Sequence, residues 1–174
     1  DGGATSTCQT TAEISEVGAG LQVSPNGSAV LAALGLESRA LQLGTRAMGV
    51  ELRDHAEGRR VLQLDFARRR HTNTHPYLLV HRADLIAMLD EAARDAGARI
   101  VLGHALAPGD PAAVEADLLV GADGIRSAVR AALDGARQPF FTGQVAWRTL
   151  VPLEPGEAPP PVARVYMGPR RHLV

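Results

Sequence analysis

The sequence predicts an α/β fold, and three observations carry that prediction. Between residues 77 and 133 short apolar runs alternate with helical patterns: YLLVH (77–81), RADLIAMLDEAARDAG (82–97), ARIVLG (98–103), ADLLVGADG (116–124) and a helix over 125–133. Alternating strands and helices argue for a sheet with parallel pairing in this stretch. Leu118–Val120 is a continuous apolar run, the pattern of a strand buried on both faces. From about residue 138 the pattern changes to QVAWRTLVPL (144–153) and ARVYMG (163–168), two strands joined by a Pro-rich loop. That change predicts a second, more antiparallel layer over 138–174.

The remaining elements follow from local signals. Residues 1–12 are small and polar and are assigned no element. LQV (21–23) reads as a short strand or loop edge. Ser24 is a good N-cap and Pro25 fits the first helical position, so a helix starts there. Its face carries Val30, Leu31 and Leu34, and Gly35 ends it. ESRALQL (37–43) continues as a second short helix or turn. VELRD (50–54) and RRVLQLDF (59–66) flank AEG (56–58) as a hairpin, and ARRRHTNTH (67–75) is a polar loop. In the helix over 82–97, Leu85, Met88, Leu89 and Ala92 recur at helical spacing before Gly97. The closing RRHLV reads as the start of a strand, so the chain is expected to be part of a longer protein.

Composition narrows the functional classes. A length of 174 residues suggests about one domain or slightly more. Apolar residues make up 45% but aromatics only 3%, so the core must be built from Leu, Val, Ile and Ala. The net charge is −1, with all eighteen basic residues Arg, which argues against a nucleic-acid partner. Cys8 is the single cysteine, which excludes an internal disulfide framework and makes a reducing cytoplasm the default compartment. No apolar run approaches the ~20 residues of a membrane span, and the first ten residues lack the features of a signal peptide.

Three stretches could meet a ligand. Asp123 and Gly124 close a predicted strand and open a helix, the edge at which open α/β sheets bind ligands. The Asp123 carboxylate can accept hydrogen bonds from a ribose or ribityl hydroxyl, or it can cap the helix with Ser127 assisting. Arg82 opens the long helix, where a guanidinium can fork onto a phosphate or stack on a ring, or simply lie exposed. Gly18 and Gly20 form a flexible loop before the first helix. The chain contains no GxGxxG, no GxxxxGK[ST], no HExxH and no GxSxG. His71 and His75 lie in a loop without clustered acids, so no metal site is assigned. No nucleophile is paired with a base, so no catalytic side chain is assigned.

Taken together, EISEVGAGLQVSPNGSAVLAALGL (13–36), HRADLIAML (81–89), DLLVGADGIRSAVR (117–130), FTGQVAWRTLVP (141–152) and GPRRHLV (168–174) resemble one family. It is the group A FAD-dependent monooxygenases of p-hydroxybenzoate hydroxylase-like fold, most closely the salicylate hydroxylase-like branch. The resemblance implies a partial FAD-binding domain of Rossmann-like, glutathione reductase type over 13–137, and the start of an antiparallel substrate-binding sheet over 138–174. It implies FAD as cofactor, NADH or NADPH as reductant, and dioxygen as the oxygen source for a small, salicylate-like aromatic substrate.

Carried over residue by residue, Asp123 and Gly124 match the family's DG motif and Arg82 its FAD-contacting arginine. Gly18, Gly20 and Gln22 match the loop beside the flavin. His104 follows the strand that offers backbone contacts toward the adenine side. Trp147 and Arg148 match the strand that begins the substrate layer. Gln22 stands where some relatives place a histidine near the substrate. The family's opening strand with GxGxxG is absent, and Gln9 stands near the position of its ribose-binding acid. The family's later GD motif would lie beyond residue 174. The resemblance therefore implies an internal fragment that by itself holds FAD poorly.

Overall fold

The structure, a computed structural model, describes residues 5–8, 20–68, 74–107 and 109–174. In chain order these carry β1 (Ser6–Cys8), β2 (Gly20–Val23), α1 (Pro25–Ala33), α2 (Glu37–Leu43), β3 (Thr45–Arg46), β4 (Gly49–Asp54), β5 (Arg60–Asp65), β6 (Leu78–His81), α3 (Arg82–Asp95), β7 (Arg99–Val101), α4 (Ala128–Asp134), β8 (Val162–Gly168) and β9 (Arg171–Leu173). The chain divides into two units, residues 16–89 with 148–174, and residues 1–15 with 90–147.

The first unit contains two sheets. In one, β6 lies between β2 and β3, antiparallel to both, with Gly20 opposite His81 and Val23 opposite Leu78. Side chains alternate along a strand, and Leu78 and Val80 are the buried pair, 1% and 3% exposed. Leu31, Leu36, Ala40 and Met88 complete this core. The α1 N-terminus is built as its sequence suggests, with Pro25 in the first turn after Ser24. The Ser24 hydroxyl, however, bonds Asn26 Oδ1 at 2.5 Å rather than a backbone amide. Gly35 ends the helix at φ +75, where a left-handed residue is needed. Ser28 is buried without cost because its hydroxyl donates to the Pro76 carbonyl at 2.7 Å.

The other sheet runs β5-β4-β8-β9. The β4–β5 hairpin turns on Asp54, whose Oδ1 accepts from the amides of Ala56 and Glu57 at 3.1 and 2.8 Å. Strand β8 joins β4 in parallel, Gly49 opposite Val162 through Asp54 opposite Met167, and β9 folds back antiparallel on β8. The buried Glu51 carboxylate ties three of these strands together. Its Oε2 accepts from Arg53 Nε and Nη2 at 2.9 and 2.7 Å and from Arg164 Nε at 3.3 Å. Its Oε1 accepts from Arg60 Nη1 at 3.4 Å.

In the second unit β1 pairs in parallel with β7, Ser6 opposite Arg99 and Cys8 opposite Val101. A 3-10 turn covers Asp110–Ala113. Helix α4 buries Ala128 and Val129.

The helices over 25–35, 37–43, 82–97 and 125–133, the hairpin and the strand over 163–168 fold as the sequence predicts, within one or two residues for most ends. Three expectations change. Among the described residues the parallel pairing expected within 77–133 is not made there: β6 pairs antiparallel with β2 and β3, and β7 finds its parallel partner in β1, in the stretch assigned no element. Residues 116–124 and 144–153 form no strand. Leu118 and Val120 are 78% and 72% exposed, and Trp147 is 94% exposed. A strand exists only through the ladder bonds of a neighbour, and among the described residues neither stretch has one. Trp147 is the only tryptophan, so its fluorescence reads this directly. The expected result is emission of a fully hydrated indole with unhindered acrylamide quenching; a blue-shifted, protected indole would contradict it.

Candidate functional site

The expected ligand-facing residues fall in two places, one in each unit. In the first, β6 ends on His81 and α3 begins at once with Arg82, so a guanidinium stands at a strand-to-helix junction. Gly20 faces His81 across the ladder. A Cβ at Gly20 would meet nothing within 4 Å, so open space lies beside this backbone. His81 Nδ1 is 3.8 Å from the Asp84 carboxylate, and its Nε2 is buried without a hydrogen-bond partner among the described residues. A buried, unpartnered ring nitrogen beside open space is suited to meeting a polar ligand atom. Gln22 is oriented by Tyr77, whose hydroxyl donates to Gln22 Oε1 at 2.5 Å while its ring stacks on Phe66 at 4.7 Å. Gly18 lies outside the described residues, as does His71.

In the second unit the opening of α4 is organised by Asp123. Its Oδ1 accepts from the Ser127 hydroxyl, and Oδ2 from the amides of Ala128 and Val129 at 2.6 and 3.3 Å. Ser127 Oγ accepts from the Arg130 amide at 2.9 Å. The Ser127 hydroxyl, followed by these backbone donors, holds the Asp123 carboxyl below the usual aspartate range against a smaller opposing effect of desolvation. Gly124 takes φ +78, which lets the chain turn between the acid and the helix. Of the two roles open to Asp123 in the sequence, helix capping is the one its hydrogen bonds make. Gly121 is fixed by crowding, since a Cβ there would lie 2.7 Å from Val129 Cβ. Gly121→Ala is therefore expected to displace the buried Val129 and speed amide exchange throughout α4; unchanged exchange would refute the contact. His104 follows β7 and is exposed, as are Trp147 and Arg148.

A cavity of about 330 Å³ in the first unit is lined by His55, Tyr166, Gly168, Arg171, His172 and Leu173. It offers an aromatic and aliphatic wall with a guanidinium and two imidazoles, and no lining carboxylate. In the sequence RRHLV marks a strand start and GPRRHLV is one of the stretches that carry the family resemblance, but neither signal assigns these residues to a cavity. The concentration of Arg171 and His172 beside an apolar residue, after the Gly168–Arg170 turn, was the available signal.

No family model matches the chain. It is 35% identical over 172 residues to 3-amino-4-hydroxybenzoate 2-monooxygenase of Streptomyces cremeus, covering 90% of this chain and 43% of that protein. It also superposes on a form of 2-methyl-3-hydroxypyridine-5-carboxylic acid oxygenase with a TM-score of 0.59 at 28% identity, over 73% of this chain and 34% of that one. The chain is therefore similar in sequence and in fold to monooxygenases of aromatic substrates. Klebsiella pneumoniae HpxO complexed with FAD and uric acid is a further neighbour, at a TM-score of 0.54 and 26% identity over 71% of this chain and 34% of that one. The chain thus spans less than half the length of the curated relatives it matches. No helix of the described residues is long and apolar enough to cross a membrane.

The residues present fit part of a flavin. Open space at Gly20, the orphaned His81 Nε2 and the Arg82 guanidinium suit a polar, anionic group. The glycine-rich turn that would cradle a dinucleotide pyrophosphate on a helix N-terminus is not in this sequence.

Proposed function

We propose that this chain belongs to an FAD-dependent monooxygenase that hydroxylates a small aromatic, salicylate-like substrate with NADH or NADPH and dioxygen. The observation that carries the reading is the 35% identity, over 90% of the chain, to a benzoate-type monooxygenase. FAD supplies the redox chemistry when bound, and the protein supplies binding and orientation. In this reading residues 13–137 belong to the partial FAD-binding domain, and Gly18, Gly20, Gln22, Arg82, His104, Asp123 and Gly124 are the cofactor-binding residues that the resemblance carries over. Arg82 offers a cation to the phosphates or ring, and Asp123 with Gly124 sets the α4 turn beside the cofactor. Residues 138–174 open the substrate layer, in which β8 and β9 extend the earlier β4–β5 hairpin. The cavity at Tyr166, Arg171 and His172 receives the ring, with Arg171 toward its anionic group. No side chain acts as a covalent catalyst. The compartment is the cytoplasm.

The experiment is an assay of a protein of the relatives' length carrying this chain, following substrate-dependent NAD(P)H oxidation and oxygen uptake. Asp123→Ala is expected to lower flavin occupancy or slow flavin reduction; unchanged occupancy and reduction would sink the Asp123 assignment. The second reading is a non-catalytic α/β domain unable to hold FAD. The two meet in one measurement on the 174-residue chain, which is expected to bind FAD weakly or not at all. A yellow, stoichiometric flavoprotein would exclude the second reading.

A further inference from the structure

Three guanidiniums converge on one carboxylate in the β5-β4-β8 sheet, and the charges do not cancel. Arg53 places two donors on Glu51 Oε2 at 2.9 and 2.7 Å and a third on the Gly58 carbonyl at 2.9 Å, so Arg53 and Glu51 form a neutral, satisfied pair. Arg60 and Arg164 add only single, longer contacts, at 3.4 and 3.3 Å. Their side chains are 51% and 32% exposed. Neither terminal nitrogen of Arg164 has a hydrogen-bond partner among the described residues. Across the ladders Glu51 stands opposite Gln63 on one side and Arg164 on the other, so no second carboxylate sits directly beside it. Among the described residues, Arg60 and Arg164 therefore have no carboxylate partner besides the one Glu51 already shares with Arg53, and they lie on the strands flanking β4.

We propose that Arg60 and Arg164 form a binding site for a phosphoryl dianion. Each guanidinium is a planar fork that matches two phosphate oxygens, and two such forks balance the two charges of the ligand. The buried Glu51 serves as a template that turns both arginines toward one point. None of these residues is assigned to the flavin or to the aromatic substrate, so the site stands whether or not the flavin reading does.

The test is an NMR titration of the 174-residue chain, following the Arg60 and Arg164 Nε–Hε resonances. The probes are inorganic phosphate, AMP and vesicles containing phosphatidic acid, with sodium chloride at matched ionic strength as the control. Phosphate or AMP is expected to shift both resonances saturably at millimolar concentration, and chloride is not. A response to AMP assigns a phosphate ester free in solution, and one confined to the vesicles assigns a lipid headgroup. Arg60→Gln, at a half-exposed side chain whose loss leaves the Glu51–Arg53 pair intact, is expected to weaken binding at least fivefold, and Arg164→Gln likewise. Arg59→Gln, which lies outside the cluster on Asp54, is expected to change nothing. The absence of a saturable shift with all three probes, or wild-type affinity in Arg60→Gln, would overturn the proposal.

Discussion

Leu78→Ala is expected to lower the stability of the first unit by about 2–5 kcal/mol, the usual cost of truncating a fully buried leucine. Leu78 is 1% exposed on the middle strand of its sheet, opposite Val23 on one side and Arg46 on the other. Those two strands enclose it laterally, so the neighbours have little room to collapse into the space left. Against a typical total of about 5–15 kcal/mol, this loss removes much of the margin. Urea unfolding followed by circular dichroism checks it. A midpoint within error of the parent would mean that Leu78 is not the centre of this core.

Glu51→Gln is expected to act on β8. The amide keeps the shape but removes the charge that Arg53, Arg60 and Arg164 share, leaving three guanidiniums crowded without a counter-ion. The expected result is a lower thermal midpoint together with faster amide exchange in Val162–Gly168 than in β6. The same carboxylate gives the chain an acid response. The Arg53 guanidinium first, with Arg60 and Arg164 adding to it, holds Glu51 below its ordinary value of 4.5. A depressed folded-state value means that this stability is fully present above about pH 4.5 and drains away as the pH falls through the folded-state value. Asp54 and Asp123, lowered from 3.8, contribute in the same direction. Melting curves between pH 3 and pH 7 in parent and Glu51→Gln separate the contributions, because the variant should lose the part of the slope nearest pH 4.5. An identical slope in both proteins would show that Glu51 does not titrate with folding.

What could be read from the sequence was local. Pro25 and Gly35 bracket α1, Gly97 stops α3, and AEG closes the β4–β5 hairpin, because each signal acts within a few residues. The partnering of strands was not legible in the same way. β8 lies on β4 across more than a hundred residues, and β1 lies on β7 from a stretch with no apolar pattern at all. LLVGADG reads as a buried strand because its composition suits one, yet composition cannot supply the neighbour that would pair with it. The same limit applies to the candidate site. Asp123, Gly124 and Arg82 were visible as residue types at element junctions. That Asp123 spends its oxygens on α4, and that Tyr166, Arg171 and His172 surround a cavity, depend on three-dimensional placement that no short motif encodes.

The parallel pairing of β8 with β4 also sets a timetable during synthesis. Arg164 is the partner that completes the Glu51 cluster, and it leaves the ribosome 113 residues later. At roughly 5–20 residues per second, the β4 edge therefore waits about 6–23 s with its ladder groups unclaimed. During that interval the nascent hairpin is a template open to any extended chain nearby. Arg53 and Arg60, already attached to Glu51 within the hairpin, keep charge on that edge and discourage the wrong strand from adding first.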